Sequence, residues 1–390
     1  MNDFSSQRAP AADLALARYA KVVVAATFVL IFVGGHTTTS GAGMAFPDWP
    51  LSHGSLNPTG WWGDLMQRLE HGHRIIAQFV GLLIGVLCAW VWRSKWAVPV
   101  AIGVSIALAV LAKLAGAPRE MIAHVGLWSS AAIFTVVLLF SMRRDPSPRP
   151  AAVRWVAFAA FIGVCAQAVL GGLRVVIESQ GDVATATAYR VFHGCFAQFE
   201  LCLLVALAAM LSPIWNELAR RATSPSIARF AWVTVAAIFL QLVVGATMRH
   251  LGAGLAIPTF PAANVQGGWL PTMHNPAIHL NFAHTRIGAI VVAACVLGLA
   301  WMVQRRAAIE PRLTRIAWLL TALVAAQILM GLYVIWSLRP PVLTTLHVVN
   351  GAALLATTVL LAVRAGRNGA ASKVTAPLPT RDLELQEVHG

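Results

Sequence analysis

The sequence predicts an all-α integral membrane protein with about ten transmembrane helices and an internal repeat. Of its 390 residues, 58% are hydrophobic and only 11% are charged, and the mean hydropathy is +0.71. A soluble domain cannot bury so much apolar surface. Ten apolar segments are long enough to cross the ~30 Å hydrocarbon core of a bilayer as helices. They are residues 19–36, 74–92, 96–115, 121–141, 152–173, 190–212, 228–248, 281–303, 315–336 and 343–364.

The basic residues indicate how the chain is oriented in the membrane. The net charge of +14 would suit a nucleic-acid partner, but Lys and Arg lie in short loops between apolar segments. This pattern is typical of a polytopic membrane protein, so we expect no nucleic-acid partner. With ten spans, the basic loops and both termini fall on one side, which is then the cytoplasmic side. No cleavable signal peptide is expected.

An internal repeat relates the two halves of the chain. A shift of 211 residues places His73 on His284 and residues 34–47 on residues 245–258. One shift therefore matches a helix end, a Gly-rich loop and a histidine at the start of the next helix. The five cysteines lie inside apolar segments, where we expect them to pack without forming disulfides or metal sites.

Five histidines lie near the starts of even-numbered helices. They are His73, His124, His193, His284 and His347. A polar side chain at this depth is a functional hypothesis. One such histidine would most often be a packing residue, but five at equivalent positions favour ligands. Imidazoles from facing helices of a bundle commonly hold a heme iron from both sides. Arg74 is suited to bind a heme propionate, although an arginine among lipid headgroups would give the same pattern.

An acidic residue distinguishes the first half of the repeat from the second. Glu70 precedes His73 by three residues, so both would share a helix face. The repeat partner of Glu70 is Asn281, which cannot act as an acid or a base. A carboxyl group in one half suggests proton chemistry there and electron transfer in the other. The alternative is that Glu70 is a solvated loop residue.

Together these motifs resemble the heme A synthase family. The resemblance rests on Gly34-Gly35, Ser40-Gly41-Ala42-Gly43-Met44, Pro47-Asp48-Trp49-Pro50, Glu70-x-x-His73-Arg74 and the stretch Gln167–Val175. It covers most of the chain. It implies two pseudo-symmetric four-helix bundles, with heme b held by two histidines in the C-terminal half and heme O handled in the N-terminal half. The implied reaction oxidises the methyl group at ring position 8 of heme O to a formyl group, giving heme A for cytochrome oxidase biogenesis.

The resemblance also implies roles for particular residues. His284 and His347 would hold heme b, His73 and His193 would serve the heme O site, and Glu70 matches the essential acidic residue. The implied partners are heme O, handed over by heme O synthase, an unknown electron donor, the bilayer of the inner (plasma) membrane and a second copy of the chain in a homo-oligomer.

The sequence departs from the family pattern in its first loop and beside the second-half histidine. The family often has a cysteine pair in this loop, but those positions are Phe46 and Ser52, so no disulfide is expected there. In the second half, Thr285 separates His284 from Arg286. The extra residue turns Arg286 about 100° further round a helix, which argues against a propionate role equivalent to that of Arg74.

The number of spans is the third departure, because the family has eight. The surplus is the hairpin 96–141, an insertion in an N-terminal domain at 1–215. The C-terminal domain is then 216–367, and 368–390 is expected to be a disordered cytoplasmic tail. We prefer His193 as the partner of His73, because the stretch Gln167–Val175 precedes it; His124 is the alternative.

Two other classes of function fit parts of the pattern. A diheme b-type membrane protein could pass electrons from quinol without modifying heme, but Glu70 would then have no clear task. A transporter built from parallel repeats is the other class, although histidines near one surface fit a cofactor better. The hemes extracted from purified protein would separate the first alternative from a heme A synthase.

Overall fold

The computed structural model describes residues 11–144, 147, 149–215, 225–307 and 311–374. Among these residues, ten helices are long and apolar enough to cross a membrane. They are α1 (Ala11–Thr39), α2 (Leu65–Val91), α3 (Ala97–Leu114), α4 (Arg119–Arg144), α5 (Ala151–Ser179), α6 (Val183–Met210), α7 (Pro225–His250), α8 (Pro276–Gln304), α9 (Pro311–Trp336) and α10 (Pro341–Val374). Each coincides with one predicted segment, so the predicted all-α membrane fold is confirmed.

Several helices begin before their apolar segments, because polar caps start them. Helix α2 begins at Leu65, where the side chain of Asp64 accepts a hydrogen bond from the backbone N–H of Gln67 at 2.8 Å. In α6, Asp182 accepts from the N–H of Thr185 at 3.0 Å. Such caps satisfy N–H groups that have no partner within the helix. The first turns of α2 and α6 therefore lie outside the apolar segment that spans the hydrocarbon core of the bilayer.

Eight of the ten helices form two four-helix bundles. In the first bundle, α1, α2, α5 and α6 pack in a ring, each against two of the others. In the second, α7, α8, α9 and α10 pack in the same way. The bundles meet where α1 and α6 contact α10 and where α6 contacts α7. This arrangement brings the two halves of the repeat side by side.

The remaining hairpin, α3 and α4, lies on the outside of the first bundle. Its two helices pack mainly against each other, and α3 also contacts α2. The domain limits given above remain a prediction, and the first residues of the predicted 216–367 domain, 216–224, lie outside the described residues. The predicted tail at 368 does not begin at a helix end, because α10 continues to Val374; residues 375–390 are outside the described part.

Two long loops, 40–64 and 251–275, lie at the same end of the molecule, which we call the loop face. Each begins with a glycine in the left-handed region, Gly41 with φ 73° and Gly252 with φ 71°. A glycine in this conformation ends a helix without strain. Each loop also contains a cis X-Pro bond, at Trp49-Pro50 and Phe260-Pro261. These matching features agree with the 211-residue repeat.

Candidate functional site

A cavity of about 1660 Å³ extends through both bundles towards the loop face. The four histidines His73, His193, His284 and His347 line it, together with Glu70 and Arg74. The fifth histidine, His124, is not among the lining residues. Its ring instead lies 5.6 Å from the ring of Trp49, measured between centroids. The structure therefore brings together four of the five histidines picked out from the sequence.

Each of these four rings packs against a glycine on the preceding helix. The pairs are Gly34 with His73, Gly171 with His193, Gly245 with His284, and Gly331 with His347. A Cβ atom at Gly34 would lie 2.7 Å from Cε1 of His73, and one at Gly245 would lie 2.5 Å from Cε1 of His284. The corresponding distance is 3.2 Å in the other two pairs. Glycine is therefore required where α1 faces α2 and where α7 faces α8.

The four imidazoles have a nitrogen that the protein does not satisfy. In each ring Nδ1 is buried and has no hydrogen-bond partner among the described residues. Buried polar atoms are nearly always paired, and an unpaired imidazole nitrogen is a potential metal ligand. No group of three or more His, Cys, Asp or Glu side chains in the described part of the chain could hold a metal ion. Each of the four histidines thus has one ring nitrogen without a protein partner among the described residues.

Glutamines four residues before three of the glycines contact the same histidines. Nε2 of Gln241 donates to the backbone carbonyl of His284 at 2.7 Å, and Nε2 of Gln167 donates to that of His193 at 3.2 Å. The third, Gln327, lies with Nε2 3.2 Å from Nε2 of His347. The corresponding residue of α1 is Leu30. Gln167 belongs to one of the motifs quoted above, but the sequence alone does not show that these glutamines contact the histidines.

Glu70 ties the first loop to α2. Its side chain is buried, and Oε2 accepts a hydrogen bond from the N–H of Phe46 at 3.0 Å while Oε1 accepts from Nη2 of Arg74 at 2.6 Å. Asn281 takes the matching place in α8, where Nδ2 donates to the carbonyl of Ala253 at 2.9 Å. Both halves therefore hold their loop from this position. Only the first half does so with a carboxylate.

Arg74 also holds the first loop. Nη1 donates to the carbonyls of Asp48 at 2.8 Å and Leu51 at 2.6 Å, and Nη2 donates to the carbonyl of Phe46 at 3.1 Å and to Glu70. Each terminal nitrogen carries two N–H groups, so all four are directed at protein oxygens. Arg74 is therefore engaged with the first loop while it also lines the cavity, and its binding of a heme propionate stays a prediction.

Arg286 occupies the place of that arginine in the second half, which corrects the sequence analysis. Its Nη2 donates to the carbonyls of Thr259 at 2.6 Å and Ala262 at 2.7 Å, which match the two carbonyls held by Nη1 in the first half. The reason is a π-helix at Ala283–Gly288. A π-helical turn accommodates one extra residue, here Thr285, so the side chains beyond it regain their direction. The expected turn of about 100° does not occur.

The first loop is closed without a disulfide. Phe46, at one of the family's cysteine positions, is fully buried, and its ring centroid lies 4.8 Å from that of His53. At the other position, Oγ of Ser52 lies 3.0 Å from Nδ1 of His71. All five cysteines are free thiols, as the sequence analysis expected. Aromatic packing and hydrogen bonds therefore hold this loop where a disulfide is absent.

Several charged residues of the cavity were not singled out from the sequence. Five arginines line it in addition to Arg74: Arg119, Arg174, Arg190, Arg249 and Arg339. Nη2 of Arg249 donates to the carbonyl of Gly35 at 2.7 Å, which links the two bundles. These arginines lie at the loop-face ends of helices. Sequence alone does not show that these arginines border a cavity, because this depends on how the helices pack.

Glu200 is another missed residue. It lies on α6, seven residues after His193, lines the same cavity and is only 3% exposed. Neither carboxylate oxygen has a hydrogen-bond partner among the described residues. A Cβ atom at Gly163 on α5 would lie 2.0 Å from Oε2, so the carboxyl group fills the space that this glycine leaves. A single carboxyl group in an apolar span was the available signal.

Comparison with known proteins agrees with this architecture. The chain is 26% identical to the heme A synthase of Symbiobacterium thermophilum over 313 residues, which cover 79% of this chain and 81% of that protein. It is 26% identical to the heme A synthase of Sphingopyxis alaskensis over 383 residues, covering 93% and 95%. For the heme A synthase of a Caulobacter species, the identity is 25% over 374 residues, covering 89% and 94%.

A family model gives a more specific result. The COX15-CtaA model, described as cytochrome oxidase assembly protein, matches residues 120–359. This range is more than half of the chain and contains three of the four cavity histidines that pack on glycines, namely His193, His284 and His347. The chain therefore belongs to the COX15-CtaA family of cytochrome oxidase assembly proteins.

Proposed function

We propose that the protein is a heme A synthase, a membrane oxidoreductase that oxidises the methyl group at ring position 8 of heme O to a formyl group. The observation that carries the proposal is the set of four buried imidazoles, each against a glycine, in one cavity between two bundles. Membership of the family and the relatives called heme A synthase support the same reaction. The product, heme A, would serve cytochrome oxidase assembly.

The second bundle is proposed to hold heme b between His284 and His347. These two histidines fit a heme group, because both rings line the cavity and each has a buried, unpaired Nδ1. A porphyrin supplies the remaining iron ligands that the protein lacks here. Bound heme b would supply one-electron transfer. Gln241, through the backbone of His284, and Gln327, beside the ring of His347, keep the two histidines in place.

The first bundle is proposed to bind the substrate, heme O, with His73 and His193 as its iron ligands. We prefer His193 to His124 because it lines the cavity and packs on Gly171. Glu70 is proposed to be the catalytic acid or base, since it lines the same cavity and Asn281 replaces it in the second half. The role of the first-half loop, tied down by Glu70 and Arg74, is to exclude water from the substrate.

The location and partners follow from the same proposal. We infer that the chain lies in the inner (plasma) membrane with both termini in the cytoplasm, because Lys and Arg are concentrated in the loops opposite the loop face. Heme O would then be bound near the opposite surface, handed over by heme O synthase. We also propose that the protein works as a homo-oligomer and receives electrons from a separate donor.

Extraction of hemes from the purified protein tests the proposed function. Cells that produce heme O should yield protein carrying heme b together with heme O or heme A, identified by mass spectrometry. Heme b alone, with no heme A formed by cells that contain the protein, would instead support the diheme electron-transfer alternative. A host lacking its own heme A synthase but containing heme O synthase gives the necessary background.

The glycines beside the ligands allow the two sites to be disturbed separately. We expect Gly245→Ala to lower heme b content and Gly34→Ala to lower heme O or heme A content, each by roughly 10- to 100-fold in affinity. The added Cβ atom would lie 2.5 Å from His284 in one case and 2.7 Å from His73 in the other, so the ring must turn. Gly103→Ala is the control, because this glycine has open space around it. Equal loss of both hemes in each variant would contradict the assignment.

A further inference from the structure

The hairpin of α3 and α4 is attached to the first bundle mainly at the end away from the loop face. There, Ala97 and Ala101 of α3 and Phe134 of α4 are buried in the core of the first bundle. The rings of Phe134 and Phe161, on α5, are 4.2 Å apart between centroids. Nearer the loop face the hairpin and the bundle form opposite walls of a gap.

This gap is mostly apolar, with Lys113 and Arg119 of the hairpin also lining the cavity, and it is continuous with the part that His73 and His193 line. Its hairpin wall includes Ile122, Gly126 and Ala131, and its bundle wall includes Gly81, Gly85 and Val164. Glycines on both walls leave room between the helices. A Cβ atom at Gly126 would meet no other atom within 4 Å, so the gap is open at that point.

The first loop covers the gap at the loop face. The ring of Trp49 lies against Gly172 on α5, where a Cβ atom would be 2.4 Å from Cδ2 of the indole. On its other side the same ring lies 5.6 Å from His124 and 6.2 Å from Trp128, both on α4. Trp49 therefore fills the space between bundle and hairpin at this end, beside the loop segment that Arg74 holds.

The described residues of the second half of the repeat form no such gap. The described part of the chain contains no hairpin beside the second bundle. Beyond the π-helix the repeat is shifted by one residue, so Gly81 and Gly85 correspond to Ala293 and Leu297 on α8. Leu297 is 46% exposed. Among the described residues, the open space between hairpin and bundle is therefore found in the half that contains Glu70.

We propose that the gap between the hairpin and the first bundle binds the isoprenoid chain of heme O. This inference rests on the proposed function, because heme O and heme A carry a long farnesyl chain and heme b does not. An apolar channel that joins the His73 and His193 site removes such a chain from contact with water and lipid headgroups, and each buried methylene adds to affinity. The hairpin thereby makes the first half selective for the farnesylated heme, whereas the second half needs no such channel.

Filling the gap tests the inference. Full-length protein carrying Gly126→Leu or Ala131→Phe should bind heme O at least roughly tenfold more weakly, because the new side chains occupy the channel. Heme b content should not change. Gly103→Leu, on α3, and Ala132→Phe, on α4, are the controls, since both positions are exposed, belong to the same hairpin and do not line the gap. Binding is measured by titrating heme O and, separately, heme b into protein purified in detergent.

A second measurement compares the binding of heme O with that of heme b at the first site. Wild-type protein should take up heme O in preference to heme b at its first site, and Gly126→Leu should abolish the preference. Unchanged heme O binding in both filled variants would overturn the inference, as would loss of a bound phospholipid, seen by native mass spectrometry, without loss of heme O. If wild-type protein binds no heme O at all, the proposed function itself fails. A normal heme b spectrum shows that each variant has folded.

Discussion

Replacing His284 with alanine should remove heme b from the purified protein while heme O or heme A remains bound in the first half. The ring of His284 lines the cavity, packs on Gly245 and has an unpaired buried nitrogen. Loss of an outer-shell partner already costs roughly 10- to 100-fold in metal affinity, so loss of a ligand should cost more. His347→Ala should have the same effect, because the proposed iron needs both rings.

Two measurements and one control variant test this result. The reduced-minus-oxidised spectrum reports heme b, and mass spectrometry of extracted hemes reports heme O and heme A. His124→Ala is the matched control, since His124 is also near a helix start but does not line the cavity. Heme b retained at normal content in His284→Ala would exclude this histidine as a ligand. Loss of heme O or heme A in His124→Ala, with heme b retained, would restore the alternative that His124 and not His193 is the partner of His73.

The helices could be predicted from the sequence because the thickness of the bilayer fixes their apolar length. Their ends could not, since Asp64 and Asp182 start helices with polar turns that hydropathy does not register. The histidines were found because their positions repeat. Their glycine partners are a property of helix pairing: Gly34 and His73 are far apart in the chain and meet only when α1 packs on α2.

Arg286 shows a different limit. The extra residue Thr285 is visible in the sequence, and on a regular α-helix it would turn the arginine away. The structure absorbs it in a π-helix, and Arg286 then makes contacts with the carbonyls of Thr259 and Ala262 that the turn would have lost. Several hydrogen bonds to a charged group offset one irregular turn. Whether the π-helix is favourable depends on where the loop carbonyls lie. A helical projection of the sequence does not give their positions.

The second large effect is expected for Glu70→Gln, which should abolish heme A formation and leave heme b bound. Conversion of a methyl group to a formyl group passes electrons to an external oxidant and releases protons, which a carboxyl group beside the substrate can accept. General acid–base catalysis of this kind contributes about 10²- to 10⁴-fold to a rate, so the fall in heme A should be at least 100-fold. Glutamine has nearly the same shape but cannot exchange the proton.

A loop-holding role for Glu70 predicts a different set of results, because its carboxylate contacts Arg74 and the N–H of Phe46. The amide oxygen of glutamine can still accept from Phe46, whereas Arg74→Gln removes donors to the carbonyls of Asp48 and Leu51. If Glu70 only holds the loop, proteolysis of loop 40–64 should increase in both variants in proportion to the loss of heme A. If it is catalytic, Glu70→Gln should lose heme A while the loop remains resistant.

A matched ion pair separates local chemistry from the general effect of removing a charge. Glu178 also lines the cavity and forms an ion pair, in its case with Arg190, at the loop-face end of α5. Glu178→Gln should therefore keep most of the heme A yield, because this carboxylate is not joined to the loop and helix that carry His73. A normal heme A yield in Glu70→Gln would remove Glu70 from the chemistry. Asn281 would then be its counterpart in structure, with both residues serving only to hold a loop against a helix.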